Sequence, residues 1–510
     1  MTLSESNLYH LPADAVSTLA ARPVASLKPV LTLDEATVPF VLLDDFDQSL
    51  CRSGRLLIET GNAFELLTPD GRIRDQTAQR KGKFVADFAE GPVKSALADH
   101  EPLRSLLAVG SGQLRRGQLV LLDDQQQTQG RAHLRVLTET ATGTAPGGLA
   151  IITFQGLRGP DAALRAHIAA CGGTAMALNG PCPAFFAAHS PYDSTPEVAI
   201  APKDTAFAAA TDIIATYIPV ARANEPGIIA DHDTEFLHDY RVAMRKIRSV
   251  LSLVKGVYAK DQTKDLKIRF SALMAPTGRL RDLDVHLLES QLFYDLVPDN
   301  LHPGLARMFE LFAEERHAQH ARLARHFQSK AYDKKISQLA RLFDKRKKLH
   351  PGPMADQAAR DYASTLIWDR YRVVCKTAAH IGADTEDAEV HRLRIHCKKL
   401  RYLMEFFGPL FPKSECKSLL KPLKELQDTL GLFNDYAVQQ VSLQTFIRTH
   451  WSGPRGISLE VAQSVGALSA VLLVRQIEER SKVFEAIARF NSPDTRATFQ
   501  ALFHTKGDQP

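Results

Sequence analysis

The stretch VHRLRIHCKKLRYLMEFF, residues 390–407, decides the fold of the larger part of this 510-residue chain. Apolar residues recur along it at spacings of three and four, from Val390 to Phe407, which is the pattern of a helix buried along one side. Histidine and basic residues lie directly beside this apolar stripe. The stretch LHDYRVAMRKIRSVLSLV, residues 237–254, repeats both features in the same order.

The two stretches are copies of one unit, because they superpose without a gap when the second is moved back by 153 residues. At the same offset GRLRDLDV (278–285) falls on GLFNDYAV (431–438), so the agreement extends over about 48 residues. A constant offset over that length predicts an internal duplication. The basic and histidine positions that coincide are His238 with His391, Arg241 with Arg394, Arg245 with Lys398, Lys246 with Lys399, and Arg248 with Arg401.

The basic stripe lies beside the buried stripe, where the helix meets its neighbours. This position indicates that the basic side chains point into a groove between helices. At ~100° per residue, the stripe from His238 to Arg248 is roughly 80° wide and lies on the same side of the apolar stripe in both copies. Because unpaired buried charge is costly, either carboxylates of the chain or an external anion must face these cations. The available carboxylates, fewer than the cations, are Asp239, Asp282, Asp284 and Asp435.

Other interpretations of the two stripes stay open at this point. A basic helix face is commonly solvated or neutralised by local ion pairs. An acidic segment of the same chain could also occupy the groove, which would make it a structural ion-pair network. The two histidines, His238 and His391, can either donate a hydrogen bond to an oxyanion or pair with a neighbouring carboxylate.

Composition and charge are those of a soluble globular protein, with 45% hydrophobic and 24% charged residues. Residues 1–199 hold 17 Lys and Arg against 21 Asp and Glu (−4), whereas residues 200–510 hold 46 against 37 (+9), so the basic excess is C-terminal. The chain shows neither a membrane-spanning apolar run nor a secretory signal, and we expect a cytoplasmic protein without a membrane partner. Six cysteines without a CxxC pair favour free thiols in a reducing compartment and no zinc site.

The chain changes character near residue 200. Up to residue 183, short alternating segments separated by turn residues predict an α+β domain with a largely antiparallel sheet, in which residues 91–109 are expected to be helical. Residues 184–204 are rich in proline and small residues and are predicted to be a linker. Residues 205–505 carry long helical periodicity, with predicted helices that include 206–223 and 417–429, and form an all-α domain of one or two bundles.

Four stretches of the chain resemble, in order, the signature motifs of the CHAD domain, the conserved histidine α-helical domain: LHDYRVAMRKIRSVL, GRLRDLDV, VHRLRIHCKKLRYLMEFF and LKELQDTLGLFND. The resemblance covers about residues 200–505. The resemblance implies a helical domain of two pseudo-symmetric halves, which agrees with the offset of 153 residues. It also implies binding of inorganic polyphosphate, and association with polyphosphate granules, through a basic surface. Carried onto this chain, the matching positions are His238, Arg241, Arg245, Lys246, Arg248, His391, Arg394, Lys398, Lys399 and Arg401.

The N-terminal region resembles the CYTH domain, a triphosphate-tunnel fold that often precedes a CHAD domain. In that fold an ExExK stretch on the first strand binds metal and triphosphate, and the corresponding segment here, TLDEATVPFVLLDDF, lacks it. Candidate tunnel residues are few, namely Glu59, Glu65, Arg131 and Arg135. We therefore expect a degenerate CYTH-like domain, sheet or barrel, without activity.

Enzyme signatures are weak in this sequence. His238–Asp239 resembles the start of a metal-dependent phosphohydrolase motif, but its second copy reads His391–Arg392, and the cations beside each histidine would repel a metal ion. His317 and His320 have metal-compatible spacing on a helix that otherwise looks like a basic surface helix. No Walker loop, HExxH motif or nucleophile elbow is present.

These observations predict a non-enzymatic, cytoplasmic protein that binds inorganic polyphosphate through paired basic helices, without a cofactor or a metal. One alternative is a metal-dependent tripolyphosphatase or nucleotide-processing enzyme of the CYTH type. Another is a scaffold associated with nucleic acid, which the scarcity of aromatic residues near the basic stripes disfavours.

Overall fold

A computed structural model describes residues 7–21, 23–24, 26–139, 148–155, 161–176, 192–382, 384–451 and 458–504. The chain divides into two compact units, Met1–Asp193 and Ser194–Pro510. The division falls inside the segment 184–204 that the sequence predicts to be a linker. Residues 184–191 of that segment lie outside the described residues.

The N-terminal unit is built on one antiparallel sheet. Its strand order is β10-β1-β9-β8-β7-β3-β4-β5-β6, and β2 pairs with β7 beside this path. Short helices pack against the sheet. The elements are β1 (Leu8–Pro12), β2 (Lys28–Leu33), β3 (Val38–Asp44), α1 (Ser49–Arg52), β4 (Leu56–Thr60), β5 (Ala63–Leu67), β6 (Ile73–Thr77), α2 (Pro92–Ala96), β7 (Leu107–Leu122), β8 (Thr128–Glu139), β9 (Gly148–Gln155), α3 (Asp161–Ala170) and β10 (Thr174–Ala175).

The sheet is strongly curled. Nε of Arg135 on β8 lies 2.6 Å from Oε2 of Glu65 on β5, although four strand spacings separate these strands along the sheet. Four spacings in a flat sheet amount to roughly 19 Å, more than the two side chains can span. Within the described residues no pairing joins β6 to β10, so the sheet remains open and is not closed into a barrel. The predicted α+β domain with a largely antiparallel sheet is therefore confirmed, and its open sheet is consistent with a CYTH-like fold.

Two predictions for this unit are wrong. The helix expected over residues 91–109 is only α2, because Pro102 disfavours helical backbone at the residue before it and the chain then enters β7 at Leu107. The expectation of free thiols holds for the described Cys171, Cys375, Cys397 and Cys416. It fails for Cys51, which is disulfide-bonded.

The second unit is helical, as the sequence predicts. No helix in the described part of the chain combines the length and the apolar content that crossing a bilayer requires. The helices are α4 (Ala206–Ala230), α5 (Thr234–Leu253), α6 (Lys260–Met274), α7 (Gly278–Leu288), α8 (Ser290–Asp295), α9 (His302–Phe327), α10 (Lys330–Lys345), α11 (Ala359–Ala378), α12 (Asp387–Phe407), α13 (Lys413–Trp451), α14 (Leu459–Phe490) and α15 (Pro493–Phe503).

The duplication is visible in the helices, with one difference between the copies. In the first copy α6 and α7 are separated by a short 3-10 turn, Ala275–Thr277, because Pro276 lacks the N–H that a continuous helix needs. The equivalent position in the second copy is Thr429, and α13 continues through it. The predicted helix over residues 417–429 is thus too short by many residues.

Helix α4 packs against α5, the first basic helix, and positions it. It runs through Pro219 and Pro226 to Ala230, so the predicted end at residue 223 is wrong. A Cβ on Gly227 would lie 2.1 Å from the ring of Phe236, so the absence of a side chain lets α5 approach α4 closely. Asp233 then caps α5 by accepting hydrogen bonds from the backbone N–H groups of Glu235 and Phe236.

Candidate functional site

The two basic helices, α5 and α12, contact each other. Their apolar stripes are buried in the unit, with Tyr240, Ile247, Leu393 and Leu400 all fully enclosed. Each basic stripe therefore follows the edge at which its helix meets its neighbours.

A cavity of about 640 Å³ lies between α5, α6 and α12. We call it the basic cavity, because none of the described residues that line it is acidic. Three serine hydroxyls, those of Ser249, Ser252 and Ser271, also line it and can donate hydrogen bonds. The five cationic residues in its lining are Arg245, Arg248, Lys267, Lys398 and Lys399.

A second cavity, of about 650 Å³, adjoins the first through Arg245 and Tyr402, which line both. We call it the mixed cavity, because Glu197 and Glu405 line it together with the cations. The basic cavity and the mixed cavity together form the groove. Residues of the sequence-predicted set that line the mixed cavity are His238, Arg245, Lys246 and Arg401.

Lys398 shows how little the charge of the basic cavity is balanced. Burial lowers the pKa of Lys398 to about 8, and the neighbouring Arg394, Arg245 and Arg401 add to the fall. Only Asp435 acts in the opposite direction. Arg245 belongs to α5 and Lys398 to α12, so the cations of the two copies repel one another across a shared space.

The equivalent residues Arg241 and Arg394 are held by the fold. Nη1 of Arg241 donates to Oγ1 of Thr277 over 2.7 Å. Nη2 of Arg394 lies 3.3 Å from Oδ1 of Asp435. In each arginine Nε is buried without a hydrogen-bond partner in the described structure. Burial, followed by the charge of Arg245, lowers the pKa of Arg241.

Lys246 and Arg401 are partly neutralised within the chain. Nζ of Lys246 donates to the hydroxyl of Tyr217 over 2.9 Å and lies 4.5 Å from the centre of its ring. Nε of Arg401 lies 3.3 Å from Oε1 of Glu405. Burial raises the pKa of Glu405, and both cations oppose that rise. These two cations are less available to a ligand than those of the basic cavity.

The two histidines differ in their surroundings. His391 is exposed, and its Nδ1 donates to Oδ1 of Asn434 over 2.5 Å, so its described partner is an amide rather than a carboxylate. His238 is half-buried and lines the mixed cavity.

The expected counter-ions are scarcer than the sequence suggests. Asp284 does not face the basic stripes, because its Oδ1 accepts a hydrogen bond from Nε of Arg316 on α9 over 2.8 Å. Asp282 lies near Arg241, yet burial raises the pKa of this carboxyl in spite of its arginine neighbours. Asp282 and Asp435 occupy equivalent positions of the two copies. Each half thus contributes one such carboxylate.

Two groups of site residues escaped the sequence reasoning. Lys267 reaches the basic cavity from α6 and has no basic counterpart at the offset of 153 residues, where Leu420 stands. Nη1 of Arg370 on α11 lies 3.3 Å from Nδ1 of His396. Burial lowers the pKa of Lys399, and the positive charges of Arg370 and Lys255 lower it further. Spatial neighbours of this kind leave no trace in the spacing of one helix.

Among the described residues, no group of three or more histidine, cysteine or acidic side chains is placed to hold a metal ion. Nε2 of His320 hydrogen-bonds to the carbonyl oxygen of Ile228 over 2.8 Å.

Three of the four candidate tunnel charges, Glu59, Glu65 and Arg135, form ion pairs within the N-terminal unit. Glu65 is buried between Arg135 and Arg116, with which it forms hydrogen-bonded ion pairs. Burial tends to raise the pKa of Glu65, and the two arginines outweigh it, so the net pKa is lowered. Glu59 pairs with Arg80 over 2.9 Å. The remaining candidate, Arg131, has a buried Nε without a hydrogen-bond partner in the described structure.

Residues 212–444 match the CHAD domain. The match covers 233 of the 510 residues and lies within the helical unit, Ser194–Pro510. The matched range includes both α5 and α12, and hence both basic stripes.

Solved structures similar to this chain include the crystal structure of the CHAD domain from the plant Ricinus communis. It is 25% identical, covers 61% of this chain and 97% of that chain, and has a TM-score of 0.47. PptA from Streptomyces chartreusis is 16% identical, covers 58% of this chain and 99% of that chain, and has a TM-score of 0.38. A comparison with curated proteins gives no significant match.

Proposed function

We propose that this protein binds inorganic polyphosphate in the groove between α5 and α12 and performs no catalysis there. The observation that carries the proposal is the basic cavity, in which five cations from three helices face one space and no acidic residue lines it. Such an arrangement is unfavourable in the free protein and becomes favourable when an anion enters.

The chemistry of the lining suits a chain of phosphates. Arginine offers a planar fork of donors and lysine a compact charge, and both form strong hydrogen bonds to phosphate oxygens. Serine hydroxyls add neutral donors between them. A linear polyanion also matches the elongated arrangement, because the basic cavity continues into the mixed cavity through Arg245.

An internal ion-pair network would explain the cations of the mixed cavity but not those of the basic cavity. Glu197 and Glu405 of the chain line the mixed cavity and offset part of its charge. The basic cavity has no corresponding carboxylate in its described lining. An external anion is therefore needed chiefly in the basic cavity, and Arg245, Lys398 and Lys399 are the residues we expect to contact it.

Nucleic acid is the second candidate ligand, since Tyr402 lines both cavities and offers one aromatic surface for a base. Single-stranded nucleic-acid sites ordinarily use several such surfaces. Polyphosphate is the better match because it needs none. RNA should compete for the groove only weakly at equal phosphate concentration.

We expect the N-terminal unit to have no catalytic activity. The ExExK stretch is absent, and Glu65 is already paired with Arg116 and Arg135. We expect no phosphate release from tripolyphosphate with either magnesium or manganese. Metal-dependent release, lost in a Glu65→Gln variant, would instead favour an enzyme of the CYTH type.

The decisive experiment is calorimetric titration with polyphosphate of wild type and of an Arg245→Gln/Lys398→Gln variant. These positions suit the test better than Arg241 and Arg394, which contact Thr277 and Asp435. Charged hydrogen bonds contribute ~1.5–3 kcal/mol each, so we expect affinity to fall on the order of 100-fold or more. The dependence of affinity on salt should also weaken by about two charges.

The matched control replaces two exposed cations outside the groove, Arg322→Gln and Lys424→Gln. It changes the net charge equally and should keep nearly the full affinity. If both variants lose affinity equally, the effect is one of overall charge. If the groove variant binds polyphosphate as tightly as wild type does, the ligand binds elsewhere. In cells, a cytoplasmic protein that binds polyphosphate should colocalise with polyphosphate granules, and the groove variant should not.

A further inference from the structure

A second basic cavity, of about 530 Å³, lies where α10 ends. We call it the α10 cavity. Past the last residue of α10, Lys345, the chain turns through Arg346, whose φ of 54° is in the left-handed region, and continues into Lys347 and Lys348. The cations that line the cavity are Arg269, Arg341, Lys345, Lys347 and Lys348, and none of the described lining residues is acidic.

The loop that carries two of these lysines is fixed on both sides. Nε2 of Gln262 on α6 donates to the carbonyl oxygen of Lys348 over 2.8 Å, and Oε1 of Gln262 accepts from the N–H of His350 over 2.6 Å. Arg346 forms an ion pair with Asp212 of α4. Left-handed backbone at a residue other than glycine is unfavourable, and these contacts offset that strain. The cavity wall is therefore preorganised.

The cations of this cavity have few counter-ions in the described part of the chain. Among the described residues, Arg341, Lys345, Lys347 and Lys348 form no ion pair, and Arg269 has only a long contact of 3.6 Å with Asp265. The helix dipole favours a cation in the last turn of α10, which accounts for Lys345. It accounts neither for Arg269, which comes from another helix, nor for the two lysines beyond the helix end.

The α10 cavity is distinct from the groove. Lys267 and Arg269 stand two positions apart on α6 and so project about 200° apart around its axis. Lys267 lines the basic cavity and Arg269 lines the α10 cavity. The helix α6 thus separates two sets of cations, and one compact ligand cannot contact both.

We propose that the α10 cavity is a second anion-binding site, which takes a compact oligophosphate independently of the groove. Five cations from α6, α10 and the following loop surround one space, so a short anion with several phosphate groups can contact most of them at once. The described lining contains no aromatic residue, so phosphate groups and not a base are what the site recognises.

The test is calorimetric titration with inorganic tripolyphosphate of wild type, of a Lys345→Gln/Lys347→Gln/Lys348→Gln variant and of the groove variant Arg245→Gln/Lys398→Gln. We expect two bound tripolyphosphates in wild type and one in each variant. A second titration with ATP distinguishes an inorganic oligophosphate from a nucleotide as the ligand. If the site recognises phosphate groups alone, its affinity for ATP should not exceed its affinity for tripolyphosphate.

The matched control replaces three exposed lysines earlier on the same helix, Lys330, Lys334 and Lys335, by Gln and should keep both sites. The lysines replaced in the α10 variant and in this control are all exposed, so the urea midpoint should stay close to that of wild type in both. Two sites retained in the α10 variant, or a single site in wild type that only the groove variant loses, would overturn the proposal. If the α10 variant loses one site but the groove variant still binds two tripolyphosphates, the result would instead contradict the groove as a binding site.

Discussion

Replacing Lys398 with Met should stabilise the free protein and weaken its binding of polyphosphate. Burial and three neighbouring arginines lower the pKa of Lys398 from 10.5 to about 8. At ~1.4 kcal/mol per pKa unit, this fall corresponds to about 3 kcal/mol by which the charged form is disfavoured in the folded state. Because the side chain is partly exposed, solvent reduces the effect, and we expect a gain of about 1–3 kcal/mol at pH 7.

The sign of the pH dependence follows from the lowered pKa. Between pH 8 and 10.5 the unfolded chain holds a proton on Lys398 that the folded chain has released, so the stability of wild type rises with pH over that interval. Below pH 8 both states are protonated and the destabilisation is fully present. Lys398→Met should therefore be more stable than wild type at pH 7 and equal to it near pH 10.5.

Polyphosphate binding should show the opposite trend. A bound anion favours the charged lysine and returns its pKa toward 10.5, so wild type should lose roughly 30-fold in affinity between pH 7 and pH 9.5. Lys398→Arg keeps its charge at both values and should escape most of that loss. Urea denaturation gives the stabilities and calorimetry the affinities, with Lys424→Met, an exposed lysine, as the control. Lower stability of Lys398→Met at pH 7 with unchanged affinity would refute the reasoning.

Three further perturbations follow from the described contacts. Asp435→Asn removes a carboxylate paired with the basic stripe, and polyphosphate affinity measured at low salt should rise about 2- to 5-fold. Arg316→Met leaves Asp284 buried without its cation and should lower the free energy of unfolding of the helical unit by about 3–5 kcal/mol in urea. Glu65→Gln leaves Arg135 buried and unpaired, so the N-terminal unit should lose about 3 kcal/mol of stability while polyphosphate affinity stays unchanged.

Each of these has a control of the same residue type. Asp428→Asn, exposed on the same helix as Asp435, should leave affinity unchanged, and an equal gain there would reduce the first effect to net charge. Arg322→Met on α9 and Glu90→Gln in the N-terminal unit are exposed and should cost less than ~0.5 kcal/mol. A loss of that small size in Arg316→Met or Glu65→Gln would mean that the buried pairs do not carry the stability assigned to them.

The sequence was a good guide to the helical unit wherever the signal is local or repeated. The spacing of apolar residues in residues 390–407 places α12 to within a few residues, and the offset of 153 residues finds its partner α5. It could not assign carboxylates to cations, because Asp284 pairs across the fold with Arg316. Nor could it find Lys267, which has no basic counterpart in the second copy.

The N-terminal unit was harder to predict for a physical reason. β1 and β2 are short, and β7 contains Gly110, Gly112 and Gly117, which weaken the strand pattern. These strands form because the neighbouring strands supply hydrogen bonds along the whole ladder, from Gly112 opposite Glu139 to Leu122 opposite Thr128. Propensity read along one strand does not contain that information.

The duplicated groove is chemically asymmetric, although its helices are copies. Lys246 of the first copy is buried against Tyr217, whereas its counterpart Lys399 lines the basic cavity. Glu197 and Glu405 line the mixed cavity, and at the other end Lys267 of α6 continues the positive surface beyond the two copies. Under the proposed function we therefore expect a linear polyanion to be attracted more strongly to the basic cavity than to the mixed cavity, because the two glutamates offset part of the charge of the mixed cavity. Divergence of the two copies has given a symmetric scaffold a site with two unlike ends.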